Sequence, residues 1–566
     1  MSKYNEKRES VVKKTTTHQG GTGYTQRPEA ELIGLLSTGI QNTFYEKEGD
    51  REKRLKSLID TLSKTNKEFV AKALVYARSV FGQRTVTHLG SVNLLPHLSG
   101  DPLGKRFFSK RNRKENEGGV IYRIDDMTEI IACYIAKNGI KPGDKWTMPK
   151  AMKIGFKTAI ENADAYELAK YQMKSNTISL VDIVNLVHPL QTQKQGFVKV
   201  PLDDFKKALK GTKFEKEYDF SQLNSDENIM EIPALRALIL GLLKQFNTVE
   251  DKNTEAGKQV SEMVKSGELS KEEAEKVLTE KKTENYEELI KTKKIGYLAL
   301  LRNLRNIIKT GNMNVLDQAC ELLVNQDFIR KSLVWPHQID LALEVMLLEF
   351  NGRQLAKVTK ALDEAYELSI PNLEKLLPEG KTAIVFDTSA SMTSGRISLD
   401  NRKSGSKAPL EKAALIAATF AKGVCGDVYH FASGSEKITG WNPNDSINTL
   451  KKRFMSYMGK QGHGTEFGAC FKEFVRLNER YDRVIIISDM QDGYGRVEDR
   501  FKTYTNKFGT PYVYLIDIVG YQTTAAIKAG QKVFRLYGYS SDIYEKIPQM
   551  EININEVIDA INRIKI

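Results

Sequence analysis

The chain has 566 residues, 40% hydrophobic and 28% charged, an ordinary globular composition whose length leads us to expect two to four domains. Four scattered cysteines, Cys133, Cys320, Cys425 and Cys470, form no CxxC pair, which argues against a disulfide framework or a zinc site and for a reducing cytoplasm. The N-terminal stretch MSKYNEKRESVVKKTTT has no apolar h-region and no run of about 18 apolar residues occurs anywhere, so secretion and membrane spanning are not expected. A net charge of +13 favours a polyanionic partner, nucleic acid first, although lysine-rich proteins that bind none carry a similar excess.

Residues 1–27 read as a flexible basic arm ending in HQGGTGYTQRP. From Glu29 to Leu377 the period is helical. AELIGLLSTGI, DREKRLKSLIDTLSKT, KEFVAKALVYARSVF and MTEIIACYIAKNG place apolar residues three and four apart, and so do EIPALRALILGLLKQF, YLALLRNLRNIIKTG, NVLDQACELLVN and QIDLALEVMLLEF. Many amphipathic helices with short connections predict stacked helix pairs, an α-solenoid, although no sequence period is visible. Residues 249–294 are highly charged and poor in large apolar side chains. They predict a protruding, partly mobile helical insertion, with Ser270 and Glu273 as a capping box.

Beyond residue 379 the period changes. KTAIVFD (381–387), DVYHFAS (427–433), DRVIIISD (482–489) and PYVYLIDI (511–518) read as strands with helical stretches between them. That alternation predicts a doubly wound α/β domain over 379–566, whose ligands gather at the carboxyl ends of the strands. Asp387 ends one strand and Asp489 another. Ser389 and Ser391 follow Asp387 at alternate positions, and Thr465 lies in the glycine-rich stretch GKQGHGTEFG. Carboxylates with hydroxyls, and no Cys or His at ligand spacing, suit a hard divalent cation: Mg²⁺ first, with Ca²⁺ or Mn²⁺ as alternatives. The plainer alternative is that Asp387 and Ser389 only cap a helix. A long polar loop, 392–408, adjoins this site and is a candidate gate.

DTSAS with Thr465 and the SD at 488–489 resembles the metal-ion-dependent adhesion site (MIDAS) of von Willebrand factor A domains. In that family the cation keeps one position for an acidic ligand from a partner. Upstream, GGTGYTQ, TGIQNTFYE, YLALLRNLRNI (297–307) and FIRKSLVWPHQIDLALE (328–344) resemble the TROVE domain. TROVE at 28–378 followed by an A domain at 379–566 resembles the Ro autoantigen family. That resemblance implies a monomeric ring of HEAT-like repeats closed by the A domain. It also implies RNA as partner, Y-like RNA outside and misfolded RNA 3′ ends in the central hole. The metal site would then meet an exoribonuclease or another protein with an acidic ligand.

LAKYQMKSNTISLVDIVNLVHP (168–189) resembles the family's RNA-contacting stretch, which carries over Lys170, Lys174 and His188 as RNA contacts. Read from its residues alone, His188 closes an apolar helix face and equally suits a buried histidine. GKRFFSKRNRK supplies Lys105, Arg106, Lys110 and Arg111 around Phe107 and Phe108. It reads equally as a phosphate-and-stacking surface or as a solvated loop over two packed rings. Arg302 and Arg305 are candidates for the ring interior, or Arg302 and Asn303 brace neighbouring helices.

The expected function is noncatalytic RNA binding for quality control or scaffolding. A protein-interaction scaffold with incidental charge is the alternative. A metal-dependent nuclease is a weaker third, because DTSAS offers one carboxylate where two-metal phosphoryl transfer needs paired ones.

Overall fold

The computed structural model describes residues 11–40, 42–112, 114–141, 143–171, 178–218, 220, 229–243, 249–266, 268–332, 334, 336–369, 379–393, 397–398, 406–525, 527, 532–538, 547 and 556–566. Contacts gather the chain into two compact units. One comprises Met1–Leu58, Val80–Gln83 and Lys252–Asp559, the other Ile59–Ser79, Arg84–Asp251 and Ala560–Ile566. The chain is helical over most of its first two-thirds and ends in a mixed α/β region.

The contacts therefore divide the chain elsewhere than at the expected boundary after 378. Helices Tyr297–Lys309, Met313–Leu323, Pro336–Glu349 and Gly352–Ser369 fall in the same unit as the sheet. A buried ion pair ties them there, Lys451 Nζ to Asp340 at 2.6 Å, with Lys422 to Glu367 at 2.9 Å beside it.

The expected flexible arm differs too. From residue 11 it is β-structure: β1 (Val11–Thr16) pairs antiparallel with β2 (Thr22–Gln26). The pairing is invisible locally because β2's second partner lies some 500 residues on.

The second unit also holds an antiparallel pair, β3 (Phe197–Pro201) and β4 (Ile229–Pro233). β4 replaces the start of the helix expected in EIPALRALILGLLKQF. Pro233 cannot donate within a helix interior, so the helix begins only at Ala234 and ends at Ile239. The two helices expected around residues 50–81 form within Glu48–Ser79 and meet at a kink, where Asn66 leaves helical geometry and its Oδ1 accepts from Phe69 N–H at 3.0 Å.

In the charged stretch, Val249–Lys265 and Lys271–Lys291 are helices, and the Ser270–Glu273 capping box forms as expected. It does not simply protrude: Tyr286, Leu289 and Ile290 are buried, and Tyr286 Oη donates to Asn303 at 3.0 Å.

The sheet runs β13-β11-β10-β5-β8-β9. Its strands are β5 (Thr382–Asp387), β8 (Asp427–Phe431), β9 (Ser435–Lys437), β10 (Arg483–Ser488), β11 (Tyr512–Asp517) and β13 (Val533–Tyr537). Short β6 (Ile397–Ser398) pairs with β7 (Ser406–Lys407), and β12 (Thr523–Thr524) adds a third strand beside β2. Five sheet strands are parallel and β9 is an antiparallel edge.

Every residue of β5 and β10 is buried, as expected for strands covered on both faces. Helices Pro409–Val424 and Ile447–Met455 pack together, and so do Ala469–Leu477 and Val497–Phe508. Phe471, Phe474 and Tyr504 from the latter pair meet Val385 and Ile486 in one apolar core. After β5 the chain builds outwards to β8 and β9, then returns to β10 on β5's other side. The order reverses between β5 and β10, which opens the ligand crevice of such sheets at their carboxyl ends.

Candidate cation site and RNA-contact residues

β5 and β10 run in register, Phe386 opposite Ile487, so Asp387 and Asp489 leave neighbouring strand ends. Asp387, Ser389, Thr465 and Asp489 have no solvent exposure and Ser391 has 2%. The loop after β5 folds onto the carboxylate: Ser389 N–H donates to Asp387 Oδ1 at 2.8 Å, and Ser389 Oγ lies 3.2 Å from Ser391 Oγ. Ser488 Oγ donates to Asp387 Oδ2 at 2.6 Å, and Gln491 N–H to Asp489 Oδ1 at 3.2 Å. Ala390 N–H donates to His463 O and Gly493 N–H to Thr465 O, which ties the glycine-rich loop to both neighbours. Between Asp489 and Gln491 the chain turns at Met490, a non-glycine residue at φ 58°.

Burial dominates the electrostatics of both carboxylates. Burial first, then the nearby Asp489 charge, push the Asp387 carboxyl up to about 7. Burial pushes Asp489 up to about 6. Thr465 Oγ1 and Asp489 Oδ2 are buried and accept or donate no hydrogen bond. Orphaned buried oxygens beside two crowded carboxylates fit a hard cation, which would give each of them a partner. Among the described residues no three His, Cys, Asp or Glu side chains gather as metal ligands. Of the expected gate at 392–408, residues 394–396 and 399–405 lie outside the described residues.

Sequence reasoning missed two residues here. Gln491 lies two positions after Asp489, but a glutamine does not announce a site by type. Gln19 stands far off in sequence, yet its Nε2 donates to Ser391 Oγ at 3.2 Å.

The expected RNA contacts divide sharply. Lys170 ends the helix Ala165–Lys170 and is exposed, lying over the rings of Tyr166 and Tyr171. Lys174 lies outside the described residues. His188 is exposed at the left-handed cap of helix Leu180–Val187, φ 50°, so the buried-histidine alternative falls. It lines a cavity of about 280 Å³ with Lys213, Phe214 and Arg236, whose guanidinium lies 3.7 Å over the Phe214 ring.

In the 104–114 cluster, Lys105 and Arg106 are exposed. Arg111 is a correction. It is 3% exposed, and its guanidinium donates to the carbonyls of Gly118, Lys565 and Asn116, so no phosphate reaches it. Lys110 is held by Glu167 and the Asn162 carbonyl. Phe107 and Phe108 are fully buried and pack edge-to-face, which removes them as stacking platforms.

This gives a clean expectation. Arg111→Gln should lower stability on the order of 3 kcal/mol, since it strands buried carbonyls. Lys105→Gln with Arg106→Gln should leave stability unchanged and flatten the salt dependence of RNA binding. Thermal melts and filter binding across a salt series check both, and an unchanged slope would reduce the pair to a solvated surface.

Arg302 and Arg305 are exposed on Tyr297–Lys309, and Arg305 pairs with Glu349 at 2.6 Å. The bracing expected of Arg302 and Asn303 is carried by Asn303, buried between Tyr286 and Asn306.

No helix among the described residues is long and apolar enough to cross a membrane. Residues 25–376 match the family model of the TROVE domain. The chain is similar to the crystal structure of the Deinococcus radiodurans Ro (RSR) protein. The TM-score is 0.52 at 15% identity, over 92% of this chain and 100% of that one. No curated protein matches the chain.

Proposed function

The chain belongs to the TROVE-domain family, and on that premise we propose that it is a noncatalytic RNA-binding protein of the Ro type. The observation that carries this reading is the family match across residues 25–376, more than half of the chain. Its RNA partners would be a small structured, Y-like RNA and single-stranded ends of misfolded RNA, bound for quality control or scaffolding. A closed ring of helical repeats, ended by a von Willebrand A domain, is the architecture this reading requires. The excess of positive charge, +13, agrees with a phosphate-bearing partner.

Exposed Lys170, Lys105 and Arg106 are suited to phosphates as charges held in water. His188 presents an imidazole beside a cation and an aromatic ring, a group that stacks on bases or donates to a phosphate. His188→Ser should therefore weaken binding by about 1–3 kcal/mol while leaving the melting temperature unchanged. A fall in melting temperature with normal affinity per folded molecule would sink this role. Sequencing RNA crosslinked to the protein in its native cell tests the function itself. Recovery of no RNA above background would overturn it.

Asp387, Ser389, Ser391, Thr465 and Asp489 would hold a divalent cation, Mg²⁺ first. The ion would neutralise the two carboxylates and offer a coordination position to an acidic protein ligand, such as one on an exoribonuclease. The cation site is also what favours the scaffold as a second reading, since it serves protein contacts with or without RNA. A nuclease remains the weakest reading: RNA incubated with the protein and Mg²⁺ should stay intact.

A further inference from the structure

The described part of the N-terminal segment does not end at a free edge. The turn joining β1 to β2, Thr17–Gly21, lies on the loop that follows β10. Gly21 N–H donates to the Asp492 carbonyl at 2.9 Å, and the Thr17 hydroxyl reaches the same oxygen. His18 N–H donates to Gln491 Oε1 at 3.0 Å; the Gln491 side chain is fully buried and its backbone holds Asp489. The His18 ring stacks on Tyr45 with centroids 5.0 Å apart, and Tyr521 meets both edge-on.

Gln19, between these anchors, donates to Ser391 Oγ at 3.2 Å. One side chain from outside the sheet thus reaches one of the candidate cation's own ligands. None of the five candidate donor residues is more than 2% exposed.

We propose that the Thr17–Gly21 turn, through Gln19, closes the candidate cation site from within the chain, so that a carboxylate ligand reaches the cation only when the turn lifts away. The proposal rests on the cation reading above. Gln19 then determines what the site accepts. Its neutral amide already donates to Ser391 on that side of the site, and an incoming carboxylate must displace it. Two of the turn's polar anchors share the single Asp492 carbonyl. β2 beyond it is fixed by buried Gln26, which donates to the Tyr521 carbonyl at 2.8 Å and accepts from Tyr537 Oη at 2.9 Å, so the turn alone is the part that lifts. Close approach also fixes the residue at 21. A β-carbon on Gly21 would lie 2.7 Å from the Asp492 carbonyl carbon, so only glycine seats the turn.

Calorimetry on the full chain tests this, with Mg²⁺ titrated first and acetate second into wild type, Gln19→Ala, Gly21→Ala and Asp387→Ala. With Mg²⁺ saturating, acetate should bind Gln19→Ala and Gly21→Ala at least about tenfold more tightly than wild type. Asp387→Ala should take up no Mg²⁺. If Mg²⁺ binds and acetate affinity is the same in wild type and both turn variants, the closure is refuted while the cation site stands. If wild type and turn variants bind no Mg²⁺, the cation reading fails and the closure loses what it would close. Should Gly21→Ala not fold, Gln19→Ala, which only shortens a partly exposed side chain, carries the comparison alone.

Discussion

Mg²⁺ will raise the melting temperature of the full-length protein at pH 8, and Asp387→Ala will abolish that rise while making the metal-free protein more stable than its parent. The reason lies in the two carboxylates at the ends of β5 and β10. Burial, with Asp489 as the second cause, raises Asp387 from 3.8 to about 7. An acid whose pKa is raised on folding contributes fully to stability below its unfolded value, and that contribution is lost as pH climbs through the folded one. The metal-free protein should therefore lose stability as pH rises from about 4 through about 7, the range in which the buried pair must ionise.

A cation favours the ionised pair and stabilises the fold by mass action, so its effect should be large at pH 8 and small at pH 5. Thermal melts at both pH values, with and without Mg²⁺, read all of this. Retention of the Mg²⁺ effect in Asp387→Ala would refute the assigned site. RNA binding should survive the substitution, because none of the candidate RNA contacts belongs to the five residues of the cation site. Loss of RNA binding in a folded Asp387→Ala protein would overturn that division of labour.

Asp126→Ala will cost about 3–5 kcal/mol and lower the melting temperature by several degrees. Asp126 is fully buried and accepts from Arg78 at 3.0–3.1 Å, with His88 Nε2 at 3.1 Å. It also accepts the backbone N–H groups of Tyr122 and Arg123 at 3.0 and 2.8 Å. Burial alone would raise its pKa, but the Arg78 charge first, then His88 and Arg84, hold it well below the usual carboxylate range. A carboxyl depressed in this way contributes above its unfolded pKa and loses that contribution only in strong acid, so the wild-type pair should persist through pH 4.

Removing the carboxylate leaves Arg78 buried without a counter-charge. Asp126→Leu with Arg78→Met should therefore recover much of the loss, since two apolar groups need no partner. Equal damage in the single and double variants would show that packing, not charge, carries the effect.

Some of this was legible in the sequence because the signals are local. Four strands were read directly from apolar runs that end in polar residues, and the oxygens of DTSAS and SD follow two of those ends. Their meeting at one crevice came from the α/β alternation, which places strand ends on a single edge. The helices likewise followed from period, and the Ser270 cap from two residues three apart.

Other features needed the third dimension. β1 and β2 are polar, and β2's outer neighbour is β12, so no window of sequence reveals them as a sheet. β13 carries Arg535 in mid-strand and reads as nothing regular. The basic cluster at 104–114 has the right residue types for a phosphate surface, but composition cannot report where a guanidinium points. Arg111 is drawn inward by three backbone carbonyls, one of them at Lys565. Phe107 and Phe108 are spent on the core below it.

Residue chemistry and spacing by themselves singled out the five oxygen-bearing residues at the strand ends and the basic residues offered as RNA contacts. Only tertiary structure decided that His188 faces solvent, that Arg111 does not, and that Gln19 lies on Ser391. The physical reason is that ligand type is written in a few adjacent residues, whereas burial and closure depend on partners hundreds of residues away.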